Sequence, residues 1–284
     1  MLAALLTPLL QACSPLRIIN ALAAGGTYKA TPNQAYGPHP RQQLDVYQPI
    51  NSANAAAGGA PIVVFFYGGS WTTGERKDYL FVGEALASRG IVVVVADYRL
   101  SPEVRYPVFL QDSAQAVRWA RDNAQRLGAD PAKLYVMGHS AGAYNAAMLA
   151  LDARWLAGAQ MSAEQLAGWI GIAGPYDFLP IGAPDVQVAF NWPNTPPDSQ
   201  ALFHVKAGTP RALLLAARND TVVSAQRSTV GLSERLRSLG VKVDAELLDG
   251  VSHTTIIGSL ARPLRSLAPV LDKVVAFVGG KPAA

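Results

Sequence analysis

The feature that most constrains this chain is a Gly-His-Ser-Ala-Gly pentapeptide at residues 138–142. A short apolar run ends at Gly138, and an alanine-rich helical pattern begins directly after the pentapeptide. A serine between a strand and a helix needs a tight turn, where side chains at the two glycine positions would collide with the chain. The pattern therefore predicts a nucleophile elbow that presents Ser140 above a sheet edge. The alternative is a glycine-rich turn that only links a strand to a helix.

Strand and helix patterns alternate along the rest of the chain. Strands are predicted at residues 43–48, 61–67, 91–96, 168–173, 211–216 and 241–247, and helices at 79–89, 111–127, 224–238 and 264–278. Runs that are apolar on both faces are typical of central strands in a parallel sheet covered by helices. We therefore expect one α/β domain over residues 27–284, with a central, mostly parallel sheet flanked by helices. Outside 43–48, residues 27–60 are expected to be loop.

Two segments stand outside this pattern. Residues 179–206 are rich in Pro, Asn and Asp, lack clear periodicity, and are the candidate for a small lid. Residues 1–26 form an apolar N-terminal segment, in which the uncharged stretch 1–13 is too short to span a bilayer as a helix. The residues before Cys13 resemble the end of a bacterial lipoprotein signal, which would anchor the chain to a membrane through a lipidated Cys13. An ordinary apolar N-terminus is the alternative, so cell envelope and cytoplasm both stay open.

Composition argues against several classes of function. The chain has one cysteine and four histidines that are far apart in the sequence, so no metal site is indicated. The formal charge is +4, but no dense run of Lys and Arg accompanies it, which is weak support for a nucleic-acid partner. We expect no metal, no organic cofactor and no nucleic-acid partner.

The chain supplies partners for a nucleophilic serine in a characteristic order. A serine hydroxyl needs a general base, and the base needs a third group that fixes its tautomer. Asp220 follows the strand predicted at 211–216, and His253 follows the next strand. Ser140, then Asp220, then His253 is the order found with this kind of elbow. Because all three follow strand ends, one sheet edge is expected to present them together as the catalytic residues.

Other residues compete for these roles. Asp177 also follows a strand and is the rival acid, although it comes one strand earlier than expected. His204 precedes Asp220 and lies in the irregular segment. His139 is held next to the nucleophile by the turn and cannot reach the hydroxyl of Ser140 as a base.

Acyl transfer also needs donors directed at the developing oxyanion. Gly68 and Gly69 follow a predicted strand and let the backbone approach a substrate closely. The expected donors of the oxyanion hole are the amides of Gly69, Ser70 and Ala141. Trp71 and Tyr144 are candidates for substrate binding, as is Trp192, and core packing is the alternative for each.

These stretches together resemble a known family. Residues 65–71, 97–107 and 138–142, with the surroundings of Asp220 and His253, are similar to α/β-hydrolase carboxylesterases of the group that contains hormone-sensitive-lipase-like and bifunctional feruloyl/acetyl esterases. The resemblance covers roughly residues 40–278. One departure is Tyr67, where esterases with a His-Gly-Gly loop have histidine. The resemblance implies an α/β-hydrolase fold with a small or minimal cap.

The sequence thus predicts a serine hydrolase that cleaves carboxylic esters through an acyl-enzyme. The modest candidate lid favours small, soluble ester substrates over long lipids. An amide hydrolase, such as an aryl formamidase or a peptidase, is the alternative enzyme. A non-catalytic hydrolase fold used for binding is the alternative from another class. The sequence leaves the natural substrate and the oligomeric state open.

Overall fold

The computed structural model describes residues 19–20, 23, 25–50 and 58–279. The strands are β1 (Tyr28–Ala35), β2 (Gln43–Pro49), β3 (Ala60–Phe66), β4 (Val92–Ala96), β5 (Ala129–His139), β6 (Gly168–Ile172), β7 (Ala212–Ala217) and β8 (Val243–Leu248). The α-helices discussed below are α1 (Leu80–Ala87), α2 (Val108–Asn123), α3 (Ala141–Leu151), α4 (Ala153–Gly158), α5 (Pro184–Ala189), α6 (Gly231–Ser238), α7 (His253–Gly258) and α8 (Val270–Val278). Short 3-10 helices cover Arg76–Tyr79, Gln125–Leu127, Ala163–Gln165, Pro197–Ser199, Ala201–His204 and Arg262–Leu267, and a π-helix covers Gln226–Val230.

The described strands form one eight-stranded sheet in the order β1-β2-β4-β3-β5-β6-β7-β8. Strand β2 pairs antiparallel with β1 and with β4. All other neighbouring strands are parallel. Strands β3 and β4 are buried along their whole length, as expected for central strands covered by helices on both faces. The prediction of an α/β fold with a mostly parallel sheet is confirmed.

The register of the parallel strands brings four loops to one edge. Phe66 at the end of β3 lies opposite Gly138 near the end of β5. Ala217 at the end of β7 lies opposite Leu248 at the end of β8. Because parallel strands all end at the same edge, the loops that follow β3, β5, β7 and β8 leave the sheet side by side.

The expectation that residues 27–60 contain a single strand is wrong, because Tyr28–Ala35 forms the edge strand β1. None of its residues is fully buried, and its small, polar and proline residues show no alternation of apolar and polar side chains. Pro32 lies where the pairing with β2 shifts its register, between Thr31 and Gln34. Proline is tolerated at such an edge position, where it would argue against a central strand. Strand β1 is therefore recognised from its pairing with β2 and not from the hydrophobic pattern of its own sequence.

The C-terminal helix is shorter than predicted. The 3-10 helix Arg262–Leu267 precedes α8, and Pro269 stands at the N-terminal cap of α8. Proline has no N–H group and is disfavoured inside a helix, which explains the break. The apolar residues of α8 are nonetheless buried as the pattern requires.

The irregular segment 179–206 lies between β6 and β7 and contains α5 and two 3-10 helices. Phe190 in this segment is completely buried, and Tyr144 of α3 donates a hydrogen bond to the carbonyl oxygen of Ser199, at 2.6 Å. Across the part of the chain that the structure describes, no helix has the length and apolar character needed to cross a bilayer. Cys13 lies outside the described residues, so its lipidation stays a prediction.

Candidate active site

The turn between β5 and α3 can be built only with glycine on both sides of Ser140. A Cβ atom on Gly138 would lie 2.0 Å from the carbonyl oxygen of Gly142, and one on Gly142 would lie 2.1 Å from that of Phe66. Ser140 itself has φ = 54° and ψ = −122°, a strained conformation for a residue with a side chain. Its amide donates to the carbonyl oxygen of Ile172 at 2.9 Å, which ties the strained residue to β6.

The structure brings Ser140, His253 and Asp220 into one line of hydrogen bonds. The Nε2 atom of His253 lies 2.9 Å from Ser140 Oγ. The Nδ1 atom of His253 lies 2.7 Å from Asp220 Oδ2. An ionised Asp220 only accepts hydrogen bonds, so Nδ1 carries the proton and the lone pair of Nε2 faces the serine hydroxyl. The side chain of Asp220 is completely buried and that of His253 is 11% exposed, so water has little access to this line.

The loop after β7 holds the carboxylate of Asp220. Its Oδ1 atom accepts the amides of Val222 at 2.8 Å and Val223 at 2.9 Å. Burial alone would raise the pKa of Asp220, but the hydrogen bonds from His253, Val223 and Val222 outweigh it and keep that pKa below its ordinary value. The carboxylate is therefore ionised at neutral pH and can stabilise a protonated imidazole.

His253 is the first residue of α7, and a capping box fixes this helix. Ser252 Oγ accepts the amide of Thr255 at 3.3 Å, and Thr255 Oγ1 accepts the amide of Ser252 at 2.7 Å. Ile256 and Ile257 are buried and anchor the other side of the helix in the core. The histidine thus projects from a short helix that is fixed at its start by polar contacts and along its length by apolar ones.

The loop after β3 folds tightly against the elbow. A Cβ atom on Gly68 would lie 2.9 Å from the Cβ atom of Ser140. Gly69 has φ = 128°, a conformation that favours glycine, and its carbonyl oxygen accepts the amides of Thr72 at 2.9 Å and Thr73 at 3.0 Å. The loop therefore turns back on itself beside the serine.

The amides predicted for an oxyanion hole are open to an incoming acceptor. Among the described residues, no protein group accepts a hydrogen bond from the amides of Gly69, Ser70 or Ala141. Ser70 has φ = 53°, a second departure from ordinary backbone geometry in this loop. Backbone N–H groups require a partner, so unpaired amides beside Ser140 could donate to an oxyanion.

Tyr67, which replaces the histidine of His-Gly-Gly loops, holds the base of this loop. Its hydroxyl donates to Asp97 Oδ1 at 2.8 Å and accepts from Arg41 Nη2 at 2.7 Å. The guanidinium of Arg41 also donates to the carbonyl oxygens of Gly74 at 2.8 Å and Tyr98 at 3.0 Å. Arg41 therefore links both ends of the loop that contains Gly68 and Gly69.

Asp97 also belongs to a buried cluster of three charged side chains. Arg76 donates to Asp97 Oδ2 and, at 2.9 Å, to Asp45 Oδ1, and all three side chains are almost completely buried. Buried charges persist when they are paired and hydrogen-bonded, as here. No sequence motif marks Arg41, Asp45 or Arg76. Asp97 stands at the start of the matching stretch 97–107, but no local pattern joins these four residues.

The competing residues are engaged elsewhere. Asp177 accepts two hydrogen bonds of 2.8 Å from the guanidinium of Arg227. His204 donates from Nε2 to the carbonyl oxygen of Asp198 at 2.6 Å. Neither Asp177 nor His204 belongs to the line that joins Ser140 to Asp220.

Trp71 and Tyr144 lie in a cluster of aromatic rings beside the elbow. Trp71 is 2% exposed and donates from Nε1 to Asn145 Oδ1 at 3.0 Å, and Tyr144 is completely buried. The other rings in contact with them are those of Phe109, Phe178 and Phe190. Trp192, by contrast, is 59% exposed. A role of Trp71 and Tyr144 in substrate binding stays a prediction.

Within the residues that the structure describes, no three His, Cys, Asp or Glu side chains come together in a way that would hold a metal ion.

Comparison with known proteins identifies the family. The sequence model of the BD-FAE family matches residues 44–236, which is more than half of the chain. The chain belongs to the BD-FAE family. The matched range includes Ser140 and Asp220 and ends before His253.

Curated relatives of this BD-FAE chain include esterases from plants and bacteria. It is 26% identical to a probable isoprenylcysteine alpha-carbonyl methylesterase of Arabidopsis thaliana, over 86% of this chain and 55% of the relative. It is 28% identical to another Arabidopsis isoprenylcysteine alpha-carbonyl methylesterase, over 81% of this chain and 57% of that relative. The chain thus spans little more than half the length of these relatives. A carboxylesterase of Mycobacterium tuberculosis is 42% identical over 34% of this chain and 31% of its own length.

Solved structures share the fold. An esterase of Pyrobaculum calidifontis superposes with a TM-score of 0.74 at 23% identity, over 93% of this chain and 89% of its own. Thermogutta terrifontis esterase 2 superposes with a TM-score of 0.72 at 21% identity, over 92% of this chain and 98% of its own. With the family match, these structures confirm the resemblance to α/β-hydrolase carboxylesterases and the α/β-hydrolase fold.

Proposed function

We propose that this chain hydrolyses carboxylic esters, with Ser140 as nucleophile, His253 as general base and acid, and Asp220 as the residue that orients His253. The observation that carries the proposal is the line of hydrogen bonds from Ser140 Oγ through both nitrogens of His253 to Asp220, with distances of 2.9 Å and 2.7 Å. A serine is activated when a base lies within hydrogen-bond reach of its hydroxyl and a buried carboxylate holds that base in place.

In the first half of the proposed reaction, the oxygen of Ser140 bonds to the acyl carbon while its proton passes to Nε2 of His253. The carbonyl oxygen becomes an oxyanion, and the amides of Gly69, Ser70 and Ala141 donate to it. The bond from the acyl carbon to the alcohol oxygen then breaks, and the proton on Nε2 goes to that oxygen. The alcohol leaves, and the acyl group stays on Ser140 as an ester.

In the second half, a water molecule takes the place of the alcohol. His253 accepts one proton of the water as its oxygen bonds to the acyl carbon, and the same amides hold the second oxyanion. The bond to Ser140 breaks, the proton returns from Nε2 to the serine oxygen, and the carboxylic acid is released. Asp220 stays ionised throughout and stabilises the two protonated states of His253.

The aromatic cluster supports a preference for short acyl groups. Trp71 directly follows Ser70, and Tyr144 lies one helical turn after Ser140. Their rings are packed against three phenylalanines and are almost completely buried, so they have little room to move aside for a long acyl chain. We propose that these two rings form the wall of the acyl site, and that residues 179–206 form a small cap above it. A small, soluble ester is the substrate class that such a site accepts.

A panel of p-nitrophenyl esters from acetate to palmitate tests this proposal, with the Ser140→Ala variant as the control. We expect turnover of acetate and butyrate esters, little turnover of palmitate, and none of any ester by Ser140→Ala beyond the uncatalysed rate. Turnover confined to long acyl chains would contradict the substrate class. Turnover that survives Ser140→Ala would contradict the mechanism.

The alternatives are included in the same panel. An aryl formamide such as N-formylkynurenine tests for an amide hydrolase, because the same residues can attack an amide carbonyl. Turnover of the formamide at a higher kcat/KM than any ester would replace the ester proposal. A chain that turns over none of these substrates would fit a non-catalytic binding protein.

A further inference from the structure

We infer that His139 is a positioning residue, which holds the general base His253 in place through the backbone of His253. The inference rests on the proposed function, since it assigns a supporting role within that reaction. His139 directly precedes the nucleophile but does not belong to the line from Ser140 to Asp220.

The contact that carries the inference is a hydrogen bond between the two histidines. Nε2 of His139 lies 2.9 Å from the carbonyl oxygen of His253. A carbonyl oxygen only accepts, so His139 carries its proton on Nε2 and donates it. The two imidazole rings lie 5.1 Å apart between centroids. The residue next to the nucleophile is therefore tied directly to the residue that must deprotonate it.

The environment of His139 keeps this donor in one state. The residue is 6% exposed. Burial, and then the neighbouring His253, lower the pKa of His139 to about 3, although the bond to His253 and the charge of Asp220 act in the opposite direction. His139 thus stays neutral while His253 gains and loses its proton, and it does not compete for that proton.

The ring of His139 also faces the loop after β3. A Cβ atom on Gly68 would lie 3.1 Å from Nδ1 of His139 and 2.9 Å from the Cβ atom of Ser140. Nδ1 is buried and has no hydrogen-bond partner among the described residues, so Nε2 makes the directional contact of this ring. The imidazole lies between the elbow, the loop after β3 and α7. Its Nε2–H group fixes the distance between the ring and the carbonyl oxygen of His253 at the start of α7.

This part-buried bond links the elbow to the backbone at the start of α7, whereas the bond from Ser140 Oγ reaches only the side chain of His253. The capping box of Ser252 and Thr255 is exposed and fixes the helix only internally, while Ile256 and Ile257 hold the other side of the helix in the core. Without the bond from His139, the start of α7 is expected to shift relative to Ser140. A displacement of about 1 Å between reacting groups can cost about 100-fold in rate.

The test compares two substitutions of His139 that differ in their ability to donate. His139→Leu fills the space without a donor, whereas His139→Gln keeps an N–H group of similar reach. With p-nitrophenyl acetate we expect kcat to fall about 10-fold to 100-fold in His139→Leu with KM within about twofold, and His139→Gln to recover most of the loss. Equal losses in both variants, or a kcat of His139→Leu within about twofold of the native value, would overturn the inference.

Phe277→Leu serves as the matched control, because it also alters a buried ring but lies at the opposite sheet edge, against Gly168 and Arg211. We expect it to lower stability and leave kcat unchanged. If His139→Leu does not fold, His139→Met replaces it, since Met is also without an N–H donor and adapts to irregular space.

A second measurement separates this inference from the proposed function. The proton between His253 and Asp220 is observable by NMR in the absence of any substrate. We expect its resonance in the native protein and in His139→Gln, and its broadening or loss in His139→Leu. An unchanged resonance in His139→Leu would overturn the inference even if no ester is turned over. Ester turnover that persists in Ser140→Ala would overturn only the proposed function.

Discussion

The two halves of the site are held in different ways. The half built on β3 and β5 is fixed by backbone sterics, because Gly138 and Gly142 leave no room for a Cβ atom and Ser140 is held at φ = 54°. The half built on β7 and β8 is fixed by polar contacts, because Asp220 and His253 depend on amides, a capping box and each other. Ser140, the proposed nucleophile, is thus placed by steric restraints on the backbone, whereas Asp220 and His253 are placed by hydrogen bonds.

The two halves should therefore respond differently to substitution. A change on the half built on β3 and β5, the steric half, should lower the free energy of unfolding, since the chain cannot relax around a backbone collision. A change on the half built on β7 and β8, the polar half, should cost rate while leaving the fold intact, since it removes hydrogen bonds without creating a backbone collision.

The largest effect is expected for Asp220→Asn on the polar half. The amide keeps the size of the carboxylate but favours the wrong tautomer of His253, and kcat should fall about 10⁴-fold. Thermal unfolding should show a folded protein. Asp177→Asn is the matched control, because Asp177 is paired with Arg227, and its kcat should stay within about threefold of native. Similar losses in both variants would show that Asp177 shares the role of the acid.

On the steric half, Gly138→Ala should cost more than about 3 kcal/mol of unfolding free energy, because the new Cβ atom meets backbone that cannot move aside. Gly158→Ala is the control, since a Cβ atom there has nothing within 4 Å, and it should change stability by less than about 1 kcal/mol. Urea unfolding of both variants measures the difference. Equal stabilities would show that the elbow is not fixed by sterics.

Tyr67→Phe tests the start of the loop after β3, where steric restraints and hydrogen bonds both act. Loss of the hydroxyl leaves Arg41 and Asp97 each short of a partner, and we expect a cost of about 1–3 kcal/mol. Tyr176→Phe removes a buried hydroxyl that has no partner among the described residues, so it should cost less than about 0.5 kcal/mol. A similar cost in both variants would mean that the hydroxyl of Tyr67 contributes nothing through its bonds.

The last prediction concerns the pH dependence of stability, an effect that is small within any one pH unit. The pKa of His139 is lowered to about 3 in the fold by burial, so the unfolded chain binds more protons than the native one between this value and the ordinary histidine pKa of about 6.5. Native stability should therefore fall as the pH falls through this window, with a slope of up to about 1.4 kcal/mol per pH unit from this residue. His139→Leu should lack this slope in urea titrations from pH 4 to 6. An unchanged slope would contradict the burial of a neutral His139.

Much of the framework could be predicted from the sequence, because its signals are local. The apolar runs of β3 and β4 indicate central strands, and the glycines around Ser140 mark a turn that no other residue can form. Chain order and strand ends were then sufficient to place Asp220 and His253 at the same edge as Ser140. Strand β1 cannot be predicted in this way, because its residues show no apolar alternation and it is held in place by pairing with β2.

Contacts between distant residues could not be predicted. The network of Arg41, Tyr67 and Asp97 joins three separate parts of the chain. No sequence pattern around these residues predicts which side chains they contact. The bond from His139 to His253 spans more than a hundred residues and involves a backbone oxygen, which the sequence does not mark. Such contacts depend on the register of the sheet and become visible only when the fold is known.

Labelling with a fluorophosphonate probe tests the central claim most directly, because the probe reacts with a serine that an adjacent base activates. We expect a single adduct, mapped to Ser140 by peptide mass analysis, which is absent from Ser140→Ala and much slower to form in Asp220→Asn. Absence of the adduct in the folded native protein, or equal labelling of Ser140→Ala, would contradict the assignment of Ser140, His253 and Asp220 as the reacting group and its partners.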